Sequence, residues 1–270
     1  MTKPIEIDKQ DLYDLYVVQE MSTKDIAKIY NTTSKTIRSR LHKYGFEVRQ
    51  STTINRKHKI NETYFNNIDT QNKAYILGLL CADGWLGRNR YGNLDKIGFA
   101  FQSKDLELLE FIANELNYTG NIKQTNGAYT FTLCSTYLAS KVSQYEIMDN
   151  KSLTLDIGAV VSHIDEKLIP SFILGYFDGD GGIYCSLGSN KKTLQWSCGF
   201  TGTKDTCLFL KSYFNAGFLV DEKSKSGLVY TYKISGRLKV ADALSKLYEN
   251  HEGYCLKRKR DRFLSCKKSS

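Results

Sequence analysis

Apolar positions along the chain follow two rhythms, one helical and one alternating, and the switch between them repeats. Residues 9–20 (KQDLYDLYVVQE) set Leu12, Leu15, Tyr16 and Val17 at helical spacing. Ser22 then precedes TKDIAKIY, with Asp25 three residues on, a variant of the capping box. Asn31, Thr32 and Thr33 make a break. SKTIRSRLHKYG follows, with Ile37, Leu41 and Tyr44 spaced for one buried face and Gly45 suited to the helix end. The first 47 residues therefore predict three short helices with a tight break before the third. Residues 48–68 are polar and basic without sustained period and read as a linker.

The body that follows repeats itself. AYILGLLCADGWL (74–86) is matched by SFILGYFDGDGGIY (171–184), which aligns Gly78 with Gly175, Asp83 with Asp180 and Gly84 with Gly181. Lys104-Asp105 and Lys204-Asp205 each open a helical pattern, DLELLEFIANEL and DTCLFLKSYF. The alternating stretches KIGFAF and LQWSCGF come before them, and AYTFTLC and LVYTYKI after. Each half, 69–150 and 151–250, reads helix, hairpin, helix, hairpin, helix. Two copies at a period near 100 predict a duplicated α+β unit rather than a solenoid. The first helix of each half is apolar nearly all round, so it should be buried. Its central glycine costs about 1 kcal/mol of helix propensity. That cost makes sense where two backbones approach closely. The two helices are therefore expected to pack at Gly78 and Gly175 and to relate the halves by a pseudo-twofold axis. Trp85 and Trp196 are expected in or beside the core.

Composition narrows the class. With 270 residues, 41% hydrophobic and 25% charged, the chain is not disordered as a whole. No run of 18 apolar residues exists and the start lacks an apolar leader. These features lead us to expect no membrane partner, and a cytoplasmic (prokaryotic or phage) or organellar location. Seven cysteines without a C-x-x-C pair point to reduced thiols, and the four histidines show no metal-ligand spacing.

Charge then adds a partner. The net charge is +9, but residues 1–60 hold 12 Lys/Arg against 7 Asp/Glu and residues 251–270 hold 7 against 2. A basic head and a basic tail (251–270) thus flank a nearly neutral body, which suggests phosphate contact at both ends. Three short helices with a break before the third form the helix-turn-helix pattern. Its last helix would expose Ser34, Lys35, Arg38, Ser39 and His42, types suited to phosphates and base edges in a major groove. Arg56, Lys57, His58 and Lys59 in the linker form a possible backbone clamp.

The chemistry centres on Asp83 and Asp180. Side-by-side packing of the apolar helices puts both carboxylates at helix C-termini, where each opposes the helix dipole by about 0.3–1 kcal/mol and the two repel each other. That arrangement suggests a compensating cation, and carboxylates with water and phosphate oxygens are the ligands Mg²⁺ prefers. Two carboxylates holding two or three divalent ions suit phosphodiester hydrolysis. An isolated Asp-Gly is more simply a turn. An EF-hand fails because position five is Gly182 and no Glu stands at position twelve.

ILGLLCADG (76–84) and ILGYFDGDG (173–181) resemble the paired signature motifs of single-chain LAGLIDADG homing endonucleases, over about residues 70–250. The head resembles helix-turn-helix modules attached to some mobile-element nucleases. Splicing flanks of the kind inteins carry are not seen, which favours a free-standing or intron-encoded enzyme. The resemblance implies a duplicated αββαββα fold with two four-stranded sheets forming a saddle over double-stranded DNA. It implies a monomer that cuts a long non-palindromic target with Mg²⁺. Asp83 and Asp180 would be metal ligands, together with backbone near Ala82 and Gly179. Cys81 stands where the family often has an acid, and Asp178 keeps it. Lys233 in YTYKISG fits a lysine that approaches the active site, while its counterpart lies near Thr132, without charge. Gln102, Ser103 and Thr203 are polar candidates before the second helix of each half. DNA contacts are expected from Arg88, Asn89, Arg90, Asn93, Lys96, Lys123, Gln124 and Tyr129 in the first half. The second half offers Ser186, Asn190, Lys191, Lys192, Gln195, Lys223, Lys225 and Tyr230. Which of them face DNA depends on strand register. Two other readings stay open: a catalytically inactive DNA-binding regulator of the same fold, or an intron RNA maturase.

Overall fold

Each half of the body is a four-stranded antiparallel sheet whose inner face is covered by helices, and the halves meet along two central helices. The computed structural model describes residues 7–19, 21–46, 48, 58–125, 127–188, 193–222 and 229–269. The chain divides into two units, residues 1–57 and 58–270.

In the first unit, α1 (Lys9–Tyr13) starts at Asp8, whose carboxylate accepts from the Gln10 and Asp11 N–H groups, and runs on into a wider π turn over Asp14–Val18. Ser22 caps α2 (Thr23–Ile29) by accepting from the Asp25 N–H, and its hydroxyl donates to the Asp25 carboxylate, a side-chain pairing in place of the full capping box. Thr33 caps α3 (Ser34–Lys43), and Gly45, at φ +77°, terminates it. Ile7, Leu12, Tyr16, Ile26, Ile37 and Leu41 form the core of this unit, while Val17 points outward.

The second unit starts earlier than the polar sequence suggested. Tyr64, Phe65 and Ile68 are buried in its core, so residues 58–68 belong to the body rather than to a linker. The central helices are α4 (Gln71–Ala82) and α8 (Ile169–Asp180). A Cβ on Gly78 would lie 2.0 Å from the Phe172 carbonyl oxygen, and one on Gly175 would lie 1.9 Å from that of Tyr75. Each glycine thus receives the backbone three residues before the other glycine. That reciprocity is the signature of a local twofold.

The first sheet comprises β1 (Gly84–Arg88), β2 (Leu94–Gln102), β3 (Lys123–Thr125) and β4 (Ala128–Cys134), in the order β1-β2-β4-β3. The second comprises β5 (Gly181–Leu187), β6 (Leu194–Gly202), β7 (Phe218–Glu222) and β8 (Val229–Ser235), in the matching order β5-β6-β8-β7. Registers agree as well: Gly84 faces Phe99 as Gly181 faces Phe200, and Gly98 faces Thr132 as Gly199 faces Lys233. Ile97, Phe99, Phe131 and Leu133 point into the core in one sheet, and Cys198, Phe200, Tyr232 and Ile234 in the other. Helices α5 (Leu106–Glu115) and α6 (Thr136–Ser143) cover the first sheet, and α9 (Lys204–Phe214) and α10 (Arg237–Tyr248) the second. The short α7 (Ile157–Val161) lies between the halves in sequence.

Two expectations change. Residues 257–268 are not a free basic tail: α11 (Lys257–Lys268) buries Lys259, Phe263 and Cys266 and packs on α10. Of the tryptophans, Trp196 is buried, but Trp85 lies on the outer face of the first sheet and is 38% exposed. All seven cysteines are free. Among the described residues no helix is long and apolar enough to cross a membrane.

Candidate active site at the ends of the paired helices

Because α4 and α8 run side by side, their C-terminal ends deliver Asp83 and Asp180 to one place. Asp83 is the residue that ends α4, and Asp180 is the last residue of α8. The approach is close. A Cβ on Gly179 would lie 2.3 Å from the Ala82 Cβ and 3.1 Å from the Asp83 Oδ2. Burial raises both carboxyls above the usual range, Asp180 to about 6, with the charge of Asp83 adding to the shift. Asp83 is the more open of the two.

A hollow stands beside each acid. Asp83 shares one of about 320 Å³ with Ala100, Gln102, Lys104, Asp105 and Arg258. Asp180 shares one of about 170 Å³ with Ala82, Lys151, Tyr176 and Thr201, and a second of about 340 Å³ with Tyr184, Thr231 and Lys233. Lys233 therefore does open onto the same space as Asp180. Its counterpart by strand register is Thr132.

Two lysines that the sequence pattern did not single out hold the helix ends. The buried Lys151 donates from Nζ to the carbonyls of Cys81 (2.7 Å) and Ala82 (2.5 Å). The buried Lys259 donates to the carbonyls of Phe177 (2.6 Å), Asp178 (2.8 Å) and Gly181 (2.6 Å). Each ammonium donates to carbonyls at or beside a helix C-terminus and opposes the negative end of the dipole. Burial lowers both lysines, Lys259 to about 8, and both lysines oppose the upward shift of both acids. The Ala82 carbonyl, expected as a metal ligand, is thus already engaged by Lys151. The only hint in the sequence is that each lysine follows the last helix of its half by roughly ten residues, a spacing with no local signature.

Asp178 faces inward rather than into the site. Its Oδ2 accepts from the Tyr75 hydroxyl (2.7 Å) and the Leu256 N–H (2.8 Å), and burial raises it to about 6. This carboxyl joins α4, α8 and the chain leading into α11. Asp105 is buried and takes two hydrogen bonds from Arg258, at 2.8 and 2.9 Å, which ties α11 to the first half. Thr203 caps α9 and lines the 170 Å³ hollow beside Asp180, Gln102 lines that beside Asp83, and Ser103 donates to the Gly127 carbonyl. His251 bonds Ser171 and Tyr254.

The expected DNA-contacting side chains differ in how they are placed. Lys35, Arg38, Ser39 and His42 are exposed along one side of α3. Arg90, Lys123, Gln124 and Gln195 are exposed on the sheets and their loops. Arg88, in contrast, is committed: its guanidinium makes two bonds to Asp149, at 2.6 and 2.7 Å, and one to the Gly92 carbonyl. Asn89 folds the β1–β2 turn by accepting from the Tyr91 and Asn93 N–H groups. Arg56, Lys57, Asn190, Lys191, Lys192, Lys223 and Lys225 lie outside the described residues.

Among the described residues no group of three or more His, Cys, Asp or Glu side chains is placed to hold a metal ion. What the site does offer is a pair of converging carboxylates, Asp180 the more buried, with no salt bridge to either among the described residues. Such a pair fits a divalent cation that completes its shell with water and phosphate oxygens.

No family model and no curated protein matches the chain. Solved structures do. It is similar to the LAGLIDADG homing endonuclease I-GzeII in complex with its DNA target, with 15% identity and TM-score 0.52 over 72% of this chain and 88% of that one. I-LtrWI bound to target DNA gives 16% identity and TM-score 0.52 over 77% and 91%. The meganuclease I-SmaMI bound to uncleaveable DNA gives 14% and 0.52 over 72% and 88%. The chain thus has the LAGLIDADG homing endonuclease fold.

Proposed function

We propose that the protein is a site-specific double-strand DNA endonuclease that hydrolyses phosphodiesters with divalent metal ions, Mg²⁺ first among them. The observation that carries this reading is the convergence of Asp83 and Asp180 at the ends of helices forced together at Gly78 and Gly175. A regulator that only bound DNA would have no use for two carboxylates converging at paired helix ends, one of them half-buried. Metal ions bound there would supply charge to a scissile phosphate and a more acidic water. The chain's own groups do the rest. Asp83 and Asp180, ionised, would be the ligands of two or three such ions. Lys151 and Lys259 hold the helix ends in place. Lys233 places an ammonium beside the phosphate held next to Asp180 and stabilises charge that develops on its oxygens.

The two sheets present unlike side chains at corresponding edge-strand positions, Lys123 and Gln124 against Val220 and Asp221, which supports a non-palindromic target; that the target is long and that one chain acts as a monomer are part of the same proposal. Residues 1–47 are assigned as a helix-turn-helix DNA-binding domain, with Lys35, Arg38 and Ser39 on its reading helix.

Digestion of a library of candidate insertion sites by the full chain, with Mg²⁺ and with Ca²⁺ as the non-cleaving control, tests this. A discrete cut in Mg²⁺ that Asp180→Asn abolishes while binding persists supports it. Retained cleavage in Asp180→Asn refutes the ligand assignment. Tight binding without cleavage by the unaltered chain replaces it with a DNA-binding regulator, and tight binding only to intron RNA with a maturase. Deleting residues 1–47 shortens the protected DNA, and unchanged protection would remove the head's role.

A further inference from the structure

The two sheets match in strand order and register, yet their edge strands are chemically unlike. In the first sheet, β3 sets Lys123 opposite Thr130. The corresponding pair in the second sheet is Val220 opposite Thr231. The correspondence follows from Thr132 opposite Gly98 and Lys233 opposite Gly199, each two residues further along β4 and β8. Tyr232 and Ile234 are buried on the helix-covered face, so Thr231, Lys233 and their partners Val220 and Phe218 lie on the outer one. Tyr184 lies there too, next in sequence to the buried Ile183. Phe218, Val220 and Tyr184 are 48%, 37% and 61% exposed. Val220 and Tyr184 also wall the hollow of about 340 Å³ that holds Asp180 and Lys233. The strand β7 reads FLVDE, with no lysine or arginine. Its apolar side chains and the exposed Asp221 give a backbone phosphate no cation to meet. What apolar side chains do read on a base edge is the C5-methyl group of thymine in the major groove. Lys123, in contrast, suits the O6 and N7 acceptors of guanine.

We propose, resting on the DNA-binding reading above, that Phe218 and Val220 are specificity-determining residues that read thymine methyl groups in the half of the target beside Asp180. The half under β3 is read through polar groups instead. One buried methyl is a small contact, worth about fourfold in affinity. Rejection of other bases is stronger than that, because a polar base edge set against the patch loses water without gaining a hydrogen bond. The unlike edges also fix which way round the duplex lies. Turned end for end, it would set thymine methyls on Lys123 and guanine acceptors on Val220, and both contacts would be lost.

The experiment measures the affinity of the full chain, in Ca²⁺, for the duplex it selects from a library of sites. Deoxyuridine then replaces thymidine in one half of that duplex or in the other. The replacement removes methyl groups and leaves base pairing and every hydrogen-bonding group in place. In one half, next to the cut, it should weaken binding about fourfold for each methyl contacted. In the other half it should change nothing. Phe218→Ala combined with Val220→Ala should bind all the duplexes alike. Val220→Lys should move the preference at the contacted position from thymine toward guanine. The deoxyuridine series on the unaltered chain needs no variant, so misfolding of the double substitution does not blunt the test. Tight binding that ignores deoxyuridine in both halves overturns the proposal and leaves the DNA-binding reading intact. So does a target with no thymine beside either cut, or a deoxyuridine effect that survives in the double variant. A free chain that sediments as a dimer, and as a monomer after Val220→Lys, also overturns it, because the patch would then belong to a second copy. Failure to bind any duplex overturns the DNA-binding reading and the proposal with it.

Discussion

Replacing Asp180 by Asn should make the metal-free protein more stable while destroying its cleavage. The carboxyl titrates near 6 in the folded chain. Unfolded, it titrates near 3.9, so its ionisation at pH 7.5 opposes folding by about 3 kcal/mol. The sign follows from proton affinity. The folded chain holds the proton more tightly than the unfolded one, so the stability this group contributes is complete below about pH 4 and is lost as pH rises through about 6. Asparagine keeps the shape and removes the charge. Asp180 is in part open to solvent, and screening reduces the gain to about 1–2 kcal/mol, or about 3–6 °C in melting temperature. Urea melts of both proteins in EDTA at pH 4.5, 6.0 and 7.5 measure it. The advantage of the variant should be about a third of its full size at the lowest pH, which still lies above the unfolded carboxyl's range, and largest at the highest. Added Mg²⁺ should then stabilise the unaltered protein by mass action and leave Asp180→Asn unmoved, which narrows or reverses the order. A variant that is less stable at pH 7.5 in EDTA would refute the reasoning. So would an advantage independent of pH, because either result means the carboxylate is not held against its own solvation.

Other perturbations separate packing from charge. Gly175→Ala should destabilise the body by about 3 kcal/mol or more, since the added methyl would sit 1.9 Å from the Tyr75 carbonyl oxygen; a melt unchanged within error would deny the close crossing of α4 and α8. Arg258→Ala should cost more than Asp105→Asn, by about 1–2 kcal/mol, because only the first leaves a buried charge without its partner. Equal losses in urea titration would show that Asp105 is solvated. Lys151→Met removes a cation that holds both acids down, so the pH at which cleavage falls off on acidification should move upward. A profile that keeps its acid limb in place would exclude Lys151 from the electrostatics of the site.

The repeat and the paired acids were legible because both leave local marks. An apolar 12-residue helix with a glycine at its centre is costly unless another backbone lies against it. Seeing it twice names the two helices that must touch, and the aspartates follow from where those helices end. Strand register was legible only in outline. The alternation in AYTFTLC says which residues share a face, but not that Thr132 would stand opposite Gly98 with Trp85 on the other side. The placement of Arg88 was beyond local reading, since its partner Asp149 is 61 residues away. The boundary at residue 69 failed for a similar reason. Tyr64, Phe65 and Ile68 are three apolar residues in a polar stretch, too few to show a period, yet each is buried by parts of the chain far from it in sequence.

The basic C-terminus shows how charge misleads when it is counted rather than placed. Seven basic residues in the last twenty suggested a surface that holds phosphate. The fold uses at least two of them inward. Two helices that end together bring together their negative dipole ends, and here each also ends in a carboxylate, so the junction concentrates negative charge before any ligand arrives. An ammonium buried against those ends offsets it, at the cost of the lysine's own desolvation, which is why Lys259 falls to about 8. Lys151 performs the same task on α4 from between the halves. The pairing makes the C-terminal helix part of the site's architecture: Arg258 fixes α11 to the first half through Asp105, and Lys259, the next residue, reaches the end of α8 in the second. A truncation before residue 257 would therefore unsettle the acids and not merely weaken a contact with DNA.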